Sequence, residues 1–193
     1  MSAFEHVMTL SSFIFALAIG TILLSVATLV HRREQVKLAL APMLWMGVVF
    51  VIQINGWLVM YTFHDVTRWS YVSIATLVIV PVLLFMQAAL VVPDQSGSLD
   101  LAEHHRRNFR YYAGLEICAA ALALASIGSG LLFDLRDGKA PNFLFVAMPL
   151  RMVTAIAAVI WTHRWVQIAA PALLLMIGLV GFFNSSLPLV RGG

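Results

Sequence analysis

Charge is scarce in this chain. Asp, Glu, Lys and Arg make up 11% of its 193 residues, where an average soluble domain devotes about a quarter to them. Apolar residues reach 61%. A soluble core of this size cannot hide that much apolar surface, so lipid must solvate part of it. Cysteine is almost absent: Cys118 stands alone inside an apolar run, which excludes an intramolecular disulfide. No apolar run contains a lysine, which argues against a retinal Schiff base. The net charge of +3 is spread singly or in short clusters between apolar runs, so no nucleic-acid-binding face is formed.

Other absences concern processing and chemistry. No Lys or Arg precedes the first apolar run, and His31, Arg32 and Arg33 follow it. A cleaved signal has the reverse order, so a permanent first span is expected. There is no nucleophile motif, no phosphate-cradling glycine loop and no pair of intramembrane carboxylates. No catalytic residue is therefore assigned, although intramembrane chemistry through Glu116 or His163 stays open. The six histidines (His6, His31, His64, His104, His105 and His163) all fall at the edges of apolar runs. A haem held between helices needs opposed mid-span imidazoles, and the adjacent His104 and His105 point to different helix faces. Neither metal nor haem is expected, and the residues name no other cofactor.

What is present are six apolar runs: Met8–Val30, Leu38–Phe63, Ser70–Val92, Arg110–Phe133, Phe143–Thr162 and Gln167–Leu189. A membrane crossing takes about 20 such residues, and runs this uniformly apolar are not the alternating pattern of barrel strands. The expectation is an all-α polytopic membrane protein, one bundle of six transmembrane helices over residues 1–193. The first, third and fifth loops hold seven basic residues (Arg32, Arg33, Lys37, Arg106, Arg107, Arg110 and Arg164), and the opposite side holds four (Arg68, Arg136, Lys139 and Arg191). Basic loops stay cytoplasmic, so both termini are expected on the non-cytoplasmic side. Aromatic clusters at Trp57, Tyr61, Phe63, Trp69 and Tyr71, and at Phe109, Tyr111, Tyr112, Trp161 and Trp165, fit outer and inner headgroup belts.

The longest loop begins Pro93-Asp94-Gln95-Ser96-Gly97, a turn by composition. After it, Ser98 is placed to cap a cytoplasmic helical extension over about 98–109, with acids early and arginines late, as the helix dipole favours. Small residues from Ala119 to Gly130 give the fourth span a face that permits close helix approach, within one subunit or between copies. A faint echo links Ala41–Met46 with Ala147–Met152, which chance can also produce in apolar sequence.

Arg151 is the most informative residue. It lies about 12 Å deep, counted from Phe143 at 1.5 Å per residue, and a charge there is costly unless paired or hydrated. It is expected to face the bundle interior or a wet cleft. By depth its candidate companions are Gln53, Asn55, Asn184, Ser185 and Ser186, with Glu5 and His6 at the outer mouth, a polar outer-half pocket with one positive charge at its floor. Gln87 and Glu116 are the other intramembrane polar residues. Glu116 is the only carboxylate inside a span, about 9 Å from the inner surface. It can meet Arg151 only if the arginine reaches inward and the two helices are adjacent.

The Phe4-Glu5 start, the third span from Pro81 to Val92-Pro93-Asp94, the stretch His104-His105-Arg106-Arg107-Asn108-Phe109-Arg110-Tyr111-Tyr112 and the Pro141-Asn142-Phe143 opening together resemble a family of small, uncharacterised bacterial six-span membrane proteins. That resemblance implies a bacterial inner-membrane setting and lends no activity. Three readings of function follow. One is a non-enzymatic bundle that binds or passes a small solute or lipid headgroup around Arg151. Another is an accessory or assembly subunit of a larger membrane complex, working with other membrane subunits, whereas a homo-oligomer would fit the self-contained bundle. The third is a cofactor-bearing redox protein or intramembrane enzyme.

Overall fold

The computed structural model describes residues 3–61, 63–64, 69–93, 99–128 and 142–184. They form six helices: α1 (Ala3–His31), α2 (Leu40–Tyr61), α3 (Tyr71–Val91), α4 (Leu101–Gly128), α5 (Asn142–Ile160) and α6 (Arg164–Asn184). Two short strands, β1 (Val36–Lys37) and β2 (Leu99–Asp100), lie in the connections α1–α2 and α3–α4. Four helices, α1, α2, α3 and α6, are long and apolar enough to cross a bilayer. In α4, Glu103, Arg106, Arg107 and Arg110 occupy the first half, and α5 carries Arg151 at its middle.

Packing follows a ring in the order α1, α3, α4, α5, α6, α2 and back to α1, with α2 also lying against α3 across the middle. The buried side chains include Trp45 and Val48 of α2, Leu84 of α3, Tyr112 of α4 and Leu174 of α6. Leu10, Phe13, Leu17 and Leu24 of α1 and Phe183 of α6 point outward. Apolar faces of this extent are unusual on a protein in water and match a hydrocarbon solvent.

The strands tie one end of the bundle. Val36 pairs with Leu99 and Lys37 with Asp100, in parallel, so the first and third loops lie together. Ser98, expected to cap α4, lies outside the described residues. Asp100 performs that role: its Oδ1 accepts from the backbone N–H groups of Ala102 and Glu103, both at 3.1 Å. Its other oxygen meets Lys37 Nζ at 3.3 Å. The Glu103 N–H and the Lys37 ammonium hold the Asp100 carboxyl below the usual carboxylate range. From Leu101 the helix continues unbroken to Gly128, so the extension and the fourth apolar run are one element.

Polar side chains work as tethers between helices. Pro81 has no N–H to give to the carbonyl one turn earlier in α3. Ser11 of α1 supplies the missing donor, its hydroxyl reaching Leu77 O at 3.3 Å. Gln53 of α2 donates to Leu84 O of α3 at 2.7 Å, and Asn55 of α2 donates to Gly178 O of α6 at 2.8 Å. In a medium without water such bonds are worth about 0.6 kcal/mol on average, and each also fixes the register of two helices.

Two glycines mark the closest approaches. A Cβ on Gly56 would stand 2.9 Å from the ring of buried Phe15, and one on Gly178 would stand 2.9 Å from Val51. A Cβ on Gly20 meets nothing within 4 Å. Gly56→Ala and Gly178→Ala are therefore predicted to cost about 1–3 kcal/mol each through overpacking. Gly20→Ala should be neutral or stabilising by up to about 1 kcal/mol. Thermal melts of the three variants in one detergent check this ranking, and equal melting temperatures would contradict it.

Candidate functional site

The buried face of α4 is a stripe at helical spacing: Leu101, His105, Phe109, Tyr112, Glu116 and Ala119. Residues at such intervals share one side of a helix. Here that side packs toward α3 and α5, and it carries three side chains capable of proton chemistry into the interior.

Glu116 has no exposed surface, and Arg151 of α5 retains 14% of its side-chain accessibility. Arg151 lies midway along its helix, nine residues from each end, about 13.5 Å from either. Because α5 packs on α4, the arginine reaches the carboxylate. Its Nε donates to Glu116 Oε1 at 2.8 Å, and its Nη2 lies 2.6 Å from the same oxygen. The second oxygen, Oε2, accepts from Gln87 Nε2 of α3 at 3.2 Å. The same amide nitrogen reaches Tyr112 O at 3.3 Å. Three helices thus converge on one ion pair.

The pair is not saturated. The contact of Arg151 Nη1 is Met148 Sδ at 3.7 Å, and a thioether is a weak acceptor. Gln87 Oε1, Gln53 Oε1 and Trp45 Nε1 are buried and lack hydrogen-bond partners among the described residues. Trp45 lies against the ring of Tyr112, edge to face at 5.3 Å. Of these atoms Gln87 Oε1 belongs to a side chain bonded to the ion pair, and it has bonding capacity that buried groups rarely leave unfilled.

A second network lies toward the α4 N-terminus. His105 Nδ1 is hydrogen-bonded to Tyr112 OH, and His105 Nε2 to Gln167 Oε1 of α6 at 3.3 Å. Gln167 turns its Nε2 to Ala158 O at 2.7 Å and Trp161 O at 3.3 Å, which fixes its oxygen toward the histidine. An amide oxygen only accepts, so His105 carries its proton on Nε2 and accepts from the tyrosine hydroxyl through Nδ1. Burial disfavours charging this imidazole and lowers its pKa from the ordinary 6.5. The neighbouring His104 faces α3 instead, with Nε2 on Leu90 O at 3.1 Å. Among the described residues no three His, Cys, Asp or Glu side chains gather as a metal site would require.

Of the residues singled out from sequence, the fold brings together Arg151, Glu116 and Gln87. Gln53 and Asn55 spend their donors on carbonyls of α3 and α6. Glu5 lies in the first turn of α1, where its carbonyl accepts from Thr9. Asn184 is the last residue of α6, and Ser185 lies outside the described residues. Sequence reasoning missed Tyr112, His105 and Gln167 as a network. The signal was available in the spacing of 105, 109, 112 and 116 along α4. The partner, Gln167, comes from a different helix and left none.

Compared with known proteins, the chain matches no family model, no curated protein and no solved structure.

Two predictions follow from this geometry. Glu116→Ala leaves a buried guanidinium unpaired and is predicted to cost about 3–5 kcal/mol, whereas Glu116→Leu combined with Arg151→Met, which removes both charges, should recover most of that loss. Thermal unfolding of the full chain in detergent would show it, and a double variant no more stable than Glu116→Ala would refute it. The second concerns pH. The unfolded chain protonates His105 near the ordinary value while the folded chain resists, so below it the unfolded state binds more protons. The stability tied to neutral His105 is full above pH 6.5 and declines as pH falls toward the folded value. Melting temperatures recorded downward from pH 7.5 should fall more steeply for the wild type than for His105→Gln.

Proposed function

We propose that this chain is a non-enzymatic, six-span protein of a bacterial inner membrane, with both termini non-cytoplasmic, that binds or passes a small anionic solute at Arg151. Support for the membrane setting comes from the four long apolar helices and the basic excess in the odd-numbered loops. The common end shared by the first and third loops agrees with that orientation.

One observation carries the solute reading: the unequal use of the Arg151 guanidinium. One edge is held by a single carboxylate oxygen, the Nη1 corner meets a thioether, and the side chain as a whole keeps 14% of its accessibility. A carboxylate or phosphate oxygen is the acceptor that such a corner lacks. An arginine kept only to brace the bundle would be expected to have its donors met by oxygens of the protein.

The test is a thermal-shift screen of the purified chain against small carboxylates and phosphates. A ligand that binds only the folded state raises the melting temperature by mass action. At least one anion should do so, with affinity reduced tenfold or more in Arg151→Lys, which keeps the charge and loses the planar fork. If no anion stabilises the protein, or if the lysine variant binds as tightly, the reading fails. Copurification of other chains in fixed ratio would point to the accessory-subunit role instead.

A further inference from the structure

We infer that the site loads an anion and a proton together: Glu116 becomes protonated when a small, singly charged oxyanion binds Arg151. The inference rests on the solute-binding reading above and adds the coupling.

The argument begins with charge balance. As it stands, the buried cluster is neutral, one guanidinium against one carboxylate. An anion added to it would leave a net negative charge among apolar helices, which costs several kcal/mol in such surroundings. Something nearby must take up a positive charge. The packing partners of α4 are α3 and α5, with a smaller contact from α2 and from β1. His105 also hydrogen-bonds to Gln167 of α6, a helix whose ionisable residue is the permanently charged Arg164. Neither α2 nor α3 contains an Asp, Glu, Lys, Arg or His, and the only such residue in α5 is Arg151. Lys37 of β1 is exposed and engaged with Asp100. On the buried stripe of α4 itself, His105 is eleven residues from Glu116, about 16.5 Å along the axis, and Tyr112 is a phenol bonded to that histidine. Among the described residues, Glu116 is therefore the group bonded to Arg151 that can restore neutrality by taking a proton.

Gln87 is built to accept either state of the acid. At present its Nε2 donates to Glu116 Oε2, which requires an ionised or at least unprotonated oxygen there. Its own Oε1 is fully buried and without a partner. An amide presents a donor on one side and an acceptor on the other. Turned over, Gln87 would offer Oε1 to the O–H of a protonated Glu116. The move gives up donation to Tyr112 O, a carbonyl that lies inside helix α4 and keeps its helical acceptor role. Gln87 is thus a positioning residue.

Protonation also frees the arginine. Both Nε and Nη2 now converge on Glu116 Oε1. With that oxygen neutral, Nη2 is released to join Nη1, and the two can grip two oxygens of an incoming anion in the paired geometry guanidinium favours. The overall step is balanced: one proton goes from solvent to Glu116 Oε2, one anion goes from solvent to Arg151, and the cluster stays neutral.

The experiment uses the full chain in lipid nanodiscs with acetate and pyruvate as probes. In weakly buffered solution with a pH indicator, binding should consume about one proton per anion. The dissociation constant should rise up to tenfold per pH unit on the alkaline side. Infrared difference spectra should gain a carboxylic-acid carbonyl band on binding, and Glu116→Gln should lack it. That variant, which mimics the protonated acid, should bind with an affinity independent of pH and no proton uptake. Anion binding by the wild type without proton uptake would overturn the coupling and leave the solute reading intact. Loss of the uptake in His105→Gln, with the Glu116→Gln variant still coupled, would also overturn it. If none of the probes binds the wild type, both readings fall. The uptake measurement on the wild type decides the matter even where a variant does not fold.

Discussion

A guanidinium and a carboxylate buried at mid-helix depth can persist only as a pair, and that requirement organises one side of this bundle. Arg151 has about 13.5 Å of helix on either side, too far for easy escape to either surface, and Glu116 has no exposure. The two charges therefore hold α4 and α5 in one register. Gln87, bonded both to the carboxylate and to the α4 backbone, adds α3 to the same arrangement. Burial of an ion pair is weak evidence for net stabilisation, because desolvation offsets the attraction. What the pair supplies is specificity, since any helix arrangement that separates the partners leaves two bare charges in an apolar interior.

Elsewhere the bundle uses cheaper fasteners. Ser11 answers the carbonyl exposed by Pro81, while Gln53 and Asn55 reach carbonyls on two different neighbours. Gln167 donates to Ala158 O near the end of α5 and to Trp161 O just past it. In each case a short polar side chain meets a backbone acceptor across a helix boundary. Amides that look like pocket lining by depth alone spend their donors as connectors here.

Helix content was legible from sequence because apolar length and the lack of strand alternation are local properties. The ends were less so. Asp100 caps α4 from a position fixed by the pairing of β2 with β1, a contact between two loops that no local pattern announces. The candidate site was half legible. The costs of Arg151 and Glu116 could be read from their depth, and the stripe His105–Tyr112–Glu116 from its spacing. The contacts of Gln87 and Gln167 could not, because each depends on how whole helix faces pack against one another.

The sequence by itself determined that this protein needs an apolar solvent, that its charges gather in alternate loops, and that Arg151 and Glu116 must find partners. Those conclusions depend on composition, period and depth, all of which are fixed along one dimension. The tertiary structure alone decided that the partners are each other. That choice depends on α4 packing beside α5 in the ring, and helix adjacency is set by the fit of whole faces, with their glycines and bulky side chains, across segments far apart in the chain.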